Sequence, residues 1–326
     1  MRSSSDLAAK SSDGLAGGLA PSVPESPPSL PRLPTLLRKN QRETIQWPTL
    51  KRKSPIGLTA TTKMLPSTTA MKTVKLTEAA IRNHEDLFPN HQSTLQKTDP
   101  EFIELFDNWA FDEVIRHSRL DTKTRVMMIL ASTIANQALG EYKVMVNAAL
   151  NVGLTAVAIK EILYQSVPYV GIAKAFDFLH ATNEILQAKG ITLPLEGQST
   201  TTPETRRERG LALQESIFGD RIQKMREESP KDLLHIQDFL SANCFGDYYT
   251  RSGLDIRTRE LVTFAMLISM GGCEAQVKGH TQGNINIGNK REVLLDVITQ
   301  LLPYLGYPRT LNALRCLNEV DPPITN

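Results

Sequence analysis

Past residue 100 the apolar positions recur at helical spacing, and no stretch alternates apolar and polar residues as a half-buried strand would. In "LDIRTRELVTFAMLISM" (254–270), Asp255 or Thr258 is placed to cap a helix that reaches about Met270. A second helix is predicted from about residue 274 to 286, stopping at Gly288, where a positive φ is easily adopted. A third spans about 291–302, and a fourth about 308–320, with Pro308 suited to a first turn. Upstream, the corresponding helices fall near 121–138, 141–152, 155–167 and 172–188, and 202–230 reads as a charged helical connector. The first seventy residues differ. Rich in Ser, Thr and Pro, they sustain no apolar period, so residues 1–70 read as a disordered extension.

The two helical sets are copies of one another. "FDEVIRHSRLDTKTR" (111–125) matches "FGDYYTRSGLDIRTR" (245–259) at an offset of 134. Farther on the offset is 135, pairing "NVG" (151–153) with "NIG" (286–288), Gln165 with Gln300, and "PYVG" (168–171) with "PYLG" (303–306). One residue is therefore inserted in the second copy between Arg259 and Asn286. The expected organisation is all-α: a helical lead-in over 71–110, a first copy over 111–190, a connector over 191–244 and a second copy over 245–326.

Composition and charge adjust this picture in two places. A chain of 326 residues, 40% of them apolar, can bury a sizeable core, and no run of eighteen apolar residues predicts a membrane span. Residues 1–70 carry ten Lys/Arg against four Asp/Glu, while the remainder carries twenty-seven against thirty-one. Acidic residues interrupt the basic leader and no aromatics interleave it, which argues against a nucleic-acid tail. Met71 opens an ordinary start to a folded domain. The three cysteines, Cys244, Cys273 and Cys316, form no Cys-x-x-Cys and suit a reducing, cytoplasmic compartment.

Residues 254–320 carry a resemblance. The Arg-Glu-Leu helix start, the Gly-Cys-Glu turn, the His one turn deeper, the Asn-x-Gly stop and the Tyr-x-Gly-x-Pro ending are similar to the carboxymuconolactone decarboxylase family, whose fold is shared with alkylhydroperoxidase D. The first copy resembles the same family more loosely. The resemblance implies two tandem alkylhydroperoxidase D-like repeats, a small-molecule substrate, and a homo-oligomer, a ring of two-copy chains.

Two chemistries are implied. Peroxidase relatives use a Cys-x-x-Cys pair with a His four residues on; here Cys273 and His280 stand at the first Cys and the His, but Gln276 replaces the resolving thiol, leaving a single-cysteine alternative. Decarboxylation of a carboxylated lactone or related acid needs a cation for the carboxylate that stays, and an acid to protonate carbon. Cys273, Gln276, His280 and Gly283 share one helical face, so a substrate on that face meets them together. His280 is the expected proton donor or relay; Glu260 or Glu274 is placed to orient it, Arg259 or Lys278 to hold a carboxylate, and Gly283 to leave room. Each residue has an alternative role: His280 as a hydrogen-bonded core residue, Cys273 as a small hydrophobe, Glu274 as a helix-dipole partner and i, i+4 mate of Lys278, and Arg259, which recurs as Arg125, as a structural ion pair. Glu260 has Val126 opposite, and that asymmetry favours function. No metal site, phosphate loop or cofactor is predicted, and a non-catalytic helical assembly protein is the remaining alternative.

Overall fold

A computed structural model describes residues 74–323, so the extension expected over residues 1–70 lies outside the described residues. Among those described, every regular element is a helix. The lead-in comprises α1 (Glu78–Leu87), α2 (Leu95–Thr98), α3 (Pro100–Asn108), a π-wound turn at Trp109–Glu113, and α4 (Val114–Arg116). The first copy follows as α5 (Thr122–Ala135), α6 (Leu139–Asn151), α7 (Ala156–Val170) and α8 (Ile172–Ala188). The connector holds α9 (Arg206–Phe218), α10 (Arg221–Glu227) and α11 (Leu234–Phe239), and a second π-wound segment, Leu240–Tyr249, runs from it into the second copy. The second copy is α12 (Ile256–Met270), α13 (Glu274–Asn286), α14 (Arg291–Leu305) and α15 (Tyr307–Val320).

Asp121 and Asp255 start the first helix of each copy. Each carboxylate accepts from the backbone N–H three residues on and from that threonine's hydroxyl, at 3.0 and 2.7 Å for Thr124 and at 3.1 and 2.7 Å for Thr258. The cap at the start of α12 is therefore Asp255 rather than Thr258. The inserted residue lies in the last turn of α12, which has 15 residues against 14 in α5. The third helix of each copy outruns its expected end by three residues, because Pro168 and Pro303 are accommodated in the final turn. Termination falls instead to Gly171 and Gly306, at φ 81° and 73°, whose N–H groups bond the carbonyls of Val167 and Leu302.

α5 and α12 pack on each other at the centre, with the Ser132 and Ser269 hydroxyls 2.9 Å apart at their crossing. From Arg259 to Ser269 every residue of α12 is buried, so polar groups on this helix must find partners inside the protein. The connector breaks at Gly219, which ends α9, and α9 lies against the second π-wound segment. Two glycines permit that approach: a methyl on Gly210 would collide with the Ser241 carbonyl, and one on Gly246 with the Arg206 carbonyl.

Candidate functional site

Glu260 sits in the buried first half of α12, fully enclosed, and α13 lies alongside. His280 on α13 points its Nδ1 at Glu260 Oε2, 2.9 Å away, with its side chain 13% exposed. Asn284, one turn on, donates to the Glu260 carbonyl at 3.1 Å and the His280 carbonyl at 2.8 Å, fixing the register of the two helices. Gly283 is required where the carboxylate comes close. A Cβ there would lie 3.0 Å from Glu260 Oε2 and 2.7 Å from Phe218 Cε1. Phe218, from the connector, meets the imidazole edge-on with ring centres 5.3 Å apart, and Tyr169 of the first copy does so at 6.0 Å.

Behind Glu260 runs a chain of hydroxyls. Tyr249, at the end of the π-wound segment, donates to Glu260 Oε1 at 2.8 Å and accepts from the Tyr169 hydroxyl at 3.1 Å. Thr263 is also hydrogen-bonded to Tyr249 and accepts from Gln165 Nε2 at 2.9 Å. Both oxygens of Glu260 thus have a partner: the Tyr249 hydroxyl donates to Oε1, and His280 Nδ1 shares a hydrogen bond with Oε2. Burial, reinforced by the Glu260 carboxylate, holds the Tyr169 and Tyr249 hydroxyls well above the ordinary tyrosine value, so both remain donors. Cys244 stands 3.9 Å from the Tyr169 hydroxyl, its thiol pushed up to about 12 by burial.

The first copy has no counterpart to this polar set. Opposite Cys244, Tyr249, Glu260, Thr263 and His280 stand Ala110, Ile115, Val126, Ile129 and Met145. Tyr304 and Gln300 persist opposite Tyr169 and Gln165, but Gln300 Oε1 is buried with no partner, where Gln165 has all its groups satisfied. The first copy contributes Tyr169 and Gln165 to the site of the second.

The other residues singled out in the sequence fall elsewhere. Arg259, expected to hold a substrate carboxylate, is instead buried and committed: it pairs with Glu161 at 2.9 Å, donates to Gln165 Oε1 at 2.8 Å, and reaches the carbonyls of Arg251 and Ser252. Lys278 is likewise diverted, pairing with Glu319 of α15. Gln276 is exposed. Cys273 precedes α13 and packs away from the imidazole, donating to the Leu267 carbonyl at 3.2 Å and lining a small cavity with Val277, Ala313 and Cys316. Its neighbours are a different set from those of His280, because the residue lies outside the helical turns and does not follow their spacing. Burial first, then Glu274 and Cys316, raises its thiol above the usual value. Glu274 lines the same cavity, apart from His280. Of the residues singled out in the sequence, the structure brings Glu260, His280 and Gly283 together; Tyr249, Tyr169, Thr263 and Phe218, which join them from other elements or other positions, were not among those singled out.

Among the described residues no cluster of three or more His, Cys, Asp or Glu is placed to hold a metal, and no helix is long and apolar enough to cross a membrane. Over 118 residues, 36% of this chain and 87% of the relative, the sequence is 29% identical to a 4-carboxymuconolactone decarboxylase of Acinetobacter baylyi. A solved structure described as a candidate gamma-carboxymuconolactone decarboxylase subunit of Burkholderia xenovorans aligns with 72% of this chain and 95% of its own, at 21% identity and a TM-score of 0.44. The model of the carboxymuconolactone decarboxylase family matches residues 100–184 and again 235–319, together more than half of the chain. With the same four-helix unit present twice and the family model matching both, the chain belongs to the carboxymuconolactone decarboxylase family.

Proposed function

We propose that the second copy is an acid/base site that decarboxylates a small carboxylated lactone or a related acid, with His280 as proton donor. The observation that carries this reading is the 2.9 Å contact between His280 Nδ1 and the buried Glu260, itself anchored by Tyr249. As the carbon–carboxylate bond breaks, carbon dioxide departs and the electron pair passes into the conjugated lactone carbonyl. The imidazole then delivers its Nε2 proton to carbon and is recharged from solvent. Glu260 fixes the orientation of the imidazole; Phe218 and Tyr169 flank the ring and limit water. The single-cysteine peroxidase alternative draws no support from Cys273, whose raised thiol carries little thiolate at neutral pH.

The test compares the intact chain with His280→Ala and Cys273→Ala, following lactone loss by absorbance and hydroperoxide reduction with a dithiol supplied. Lactone turnover falling by about 10²–10⁴-fold in His280→Ala and persisting in Cys273→Ala is the expected result. Peroxide turnover abolished by Cys273→Ala would overturn it, and inactivity in both assays would favour a non-catalytic assembly role.

We also infer that the chain self-associates. Ile172 and Phe176 on α8 are half or more exposed, and so are their counterparts Tyr307 and Leu311 on α15, so each copy offers one matching apolar pair. A cytoplasmic location is inferred from the three free cysteines.

A further inference from the structure

A hollow of about 610 Å³ lies between α7 and α8 of the first copy, residues 193–198 of the connector, and Arg251. Its inner wall is cationic. Lys160 is only 7% exposed, and among the described residues it has no carboxylate partner: Asn183 Oδ1 accepts one of its three donors, and the Tyr164 ring lies 5.6 Å from Nζ. Arg251 lies over the same ring at 5.2 Å. The nearby carboxylate, Glu161, is already spent on two guanidinium groups, Arg251 in bidentate contact at 2.9–3.1 Å and Arg259 at 2.9 Å. On the inner wall Arg251 is matched by Glu161, so Lys160 is the lining cation left without a carboxylate.

Burial disfavours an ammonium that has no counter-ion and pulls the Lys160 value downward. An anion entering the hollow would relieve that cost. The side walls are aliphatic, from Val157, Leu179, Leu193, Pro194 and Leu195, while Glu184, Glu196 and His180 stand exposed on the lining. Acidic groups on the exposed lining disfavour polyanions, and aliphatic walls disfavour a bare inorganic ion. We propose that this hollow is a second binding site, specific for a small organic acid whose single anionic group rests on Lys160 and whose apolar body lies between Val157, Leu179 and Leu195. The site is separate from His280 and does not depend on the reaction assigned there.

Calorimetric titration of the full chain tests this with three probes: benzoate, its neutral analogue benzamide, and inorganic phosphate. Benzoate is expected to bind at least about tenfold more tightly than either of the others. Lys160→Met, which removes the cation, and Asn183→Asp, which sets a carboxylate against it, are each expected to weaken benzoate about tenfold or more. Circular dichroism verifies that both variants fold, and Asn183→Asp keeps the test decisive should Lys160→Met not fold. Undetectable benzoate binding, benzamide binding as well as benzoate, phosphate binding as well as benzoate, or unchanged affinity in a folded variant would each overturn the proposal. Since the readout is binding rather than turnover, its outcome is independent of whether lactone decarboxylation is found.

Discussion

Glu260 is the residue on which the catalytic reading turns, since it is a carboxylate enclosed in a helix that is otherwise packed all round. Replacing it by Gln keeps the shape but makes one of its two polar atoms a donor, which cannot satisfy both Tyr249 and His280 Nδ1 as they now stand. Glu260→Gln is therefore expected to lower kcat by about 10²-fold or more, with the melting temperature as a control for folding. Tyr249→Phe removes one donor and leaves the imidazole contact, so a smaller loss of roughly tenfold is expected. Equal effects of the two would make Tyr249 more than a positioning residue. Cys273 permits a contrasting prediction. Because burial raises its thiol, alkylation by iodoacetamide at neutral pH should run slower than that of free cysteine and accelerate as pH rises. Rapid alkylation at pH 7 would revive the thiol mechanism. Glu260 and His280 were legible because Glu260 has Val126 opposite and the family pattern marks the histidine. Tyr249 and Tyr169 were not, since one lies at the end of an irregular helix and the other 111 positions before His280, and no periodicity links such distant residues.

At the scale of elements, the helix starts were readable because a cap is a local contact, formed between residues three apart. The π-wound segments were not, because the apolar pattern that supports them also supports an ordinary helix. Yet one of these segments places Tyr249 against Glu260, which is why the second copy's site is incompletely visible in sequence. The α12 cap also has a pH signature. Burial pushes the Asp255 carboxyl up, but hydrogen bonds from the Thr258 hydroxyl and from the Thr258 and Arg257 backbone outweigh it, so the net shift is downward. A folded-state value below the unfolded one means that the stabilisation is full above the ordinary Asp value of about 3.9 and fades as pH falls through the lowered value. Asp255→Ala should cost about 1 kcal/mol at neutral pH. The gap between its unfolding midpoint and that of the unmodified chain should be constant from pH 5 to 8 and close only in strong acid; a gap that widened on acidification would refute the cap as the source.

For the whole molecule, the duplication explains both what is shared and what is lost. The two copies exchange support across their interface, Glu161 of the first holding Arg259 of the second, while Asp296, opposite Glu161, takes Arg119 at 3.3 Å. One copy carries the polar set and its counterpart is filled by Val126, Ile129 and Met145, so one chain is expected to hold one reactive centre of the His280 kind. The outer surface is symmetric where the interior is not. Ile172 and Phe176 on one copy match Tyr307 and Leu311 on the other, and a chain with two like apolar patches can join a neighbour at each, as closure into a ring requires. Light scattering should then give a mass of two or more whole chains, and Phe176→Asp combined with Leu311→Asp should reduce it to that of a single chain. Both substitutions lie on exposed positions, so the helical circular dichroism should be preserved. A wild-type chain that already runs alone would place the apolar pairs outside any self-contact, and an assembly unchanged by the double substitution would place the interface on another face.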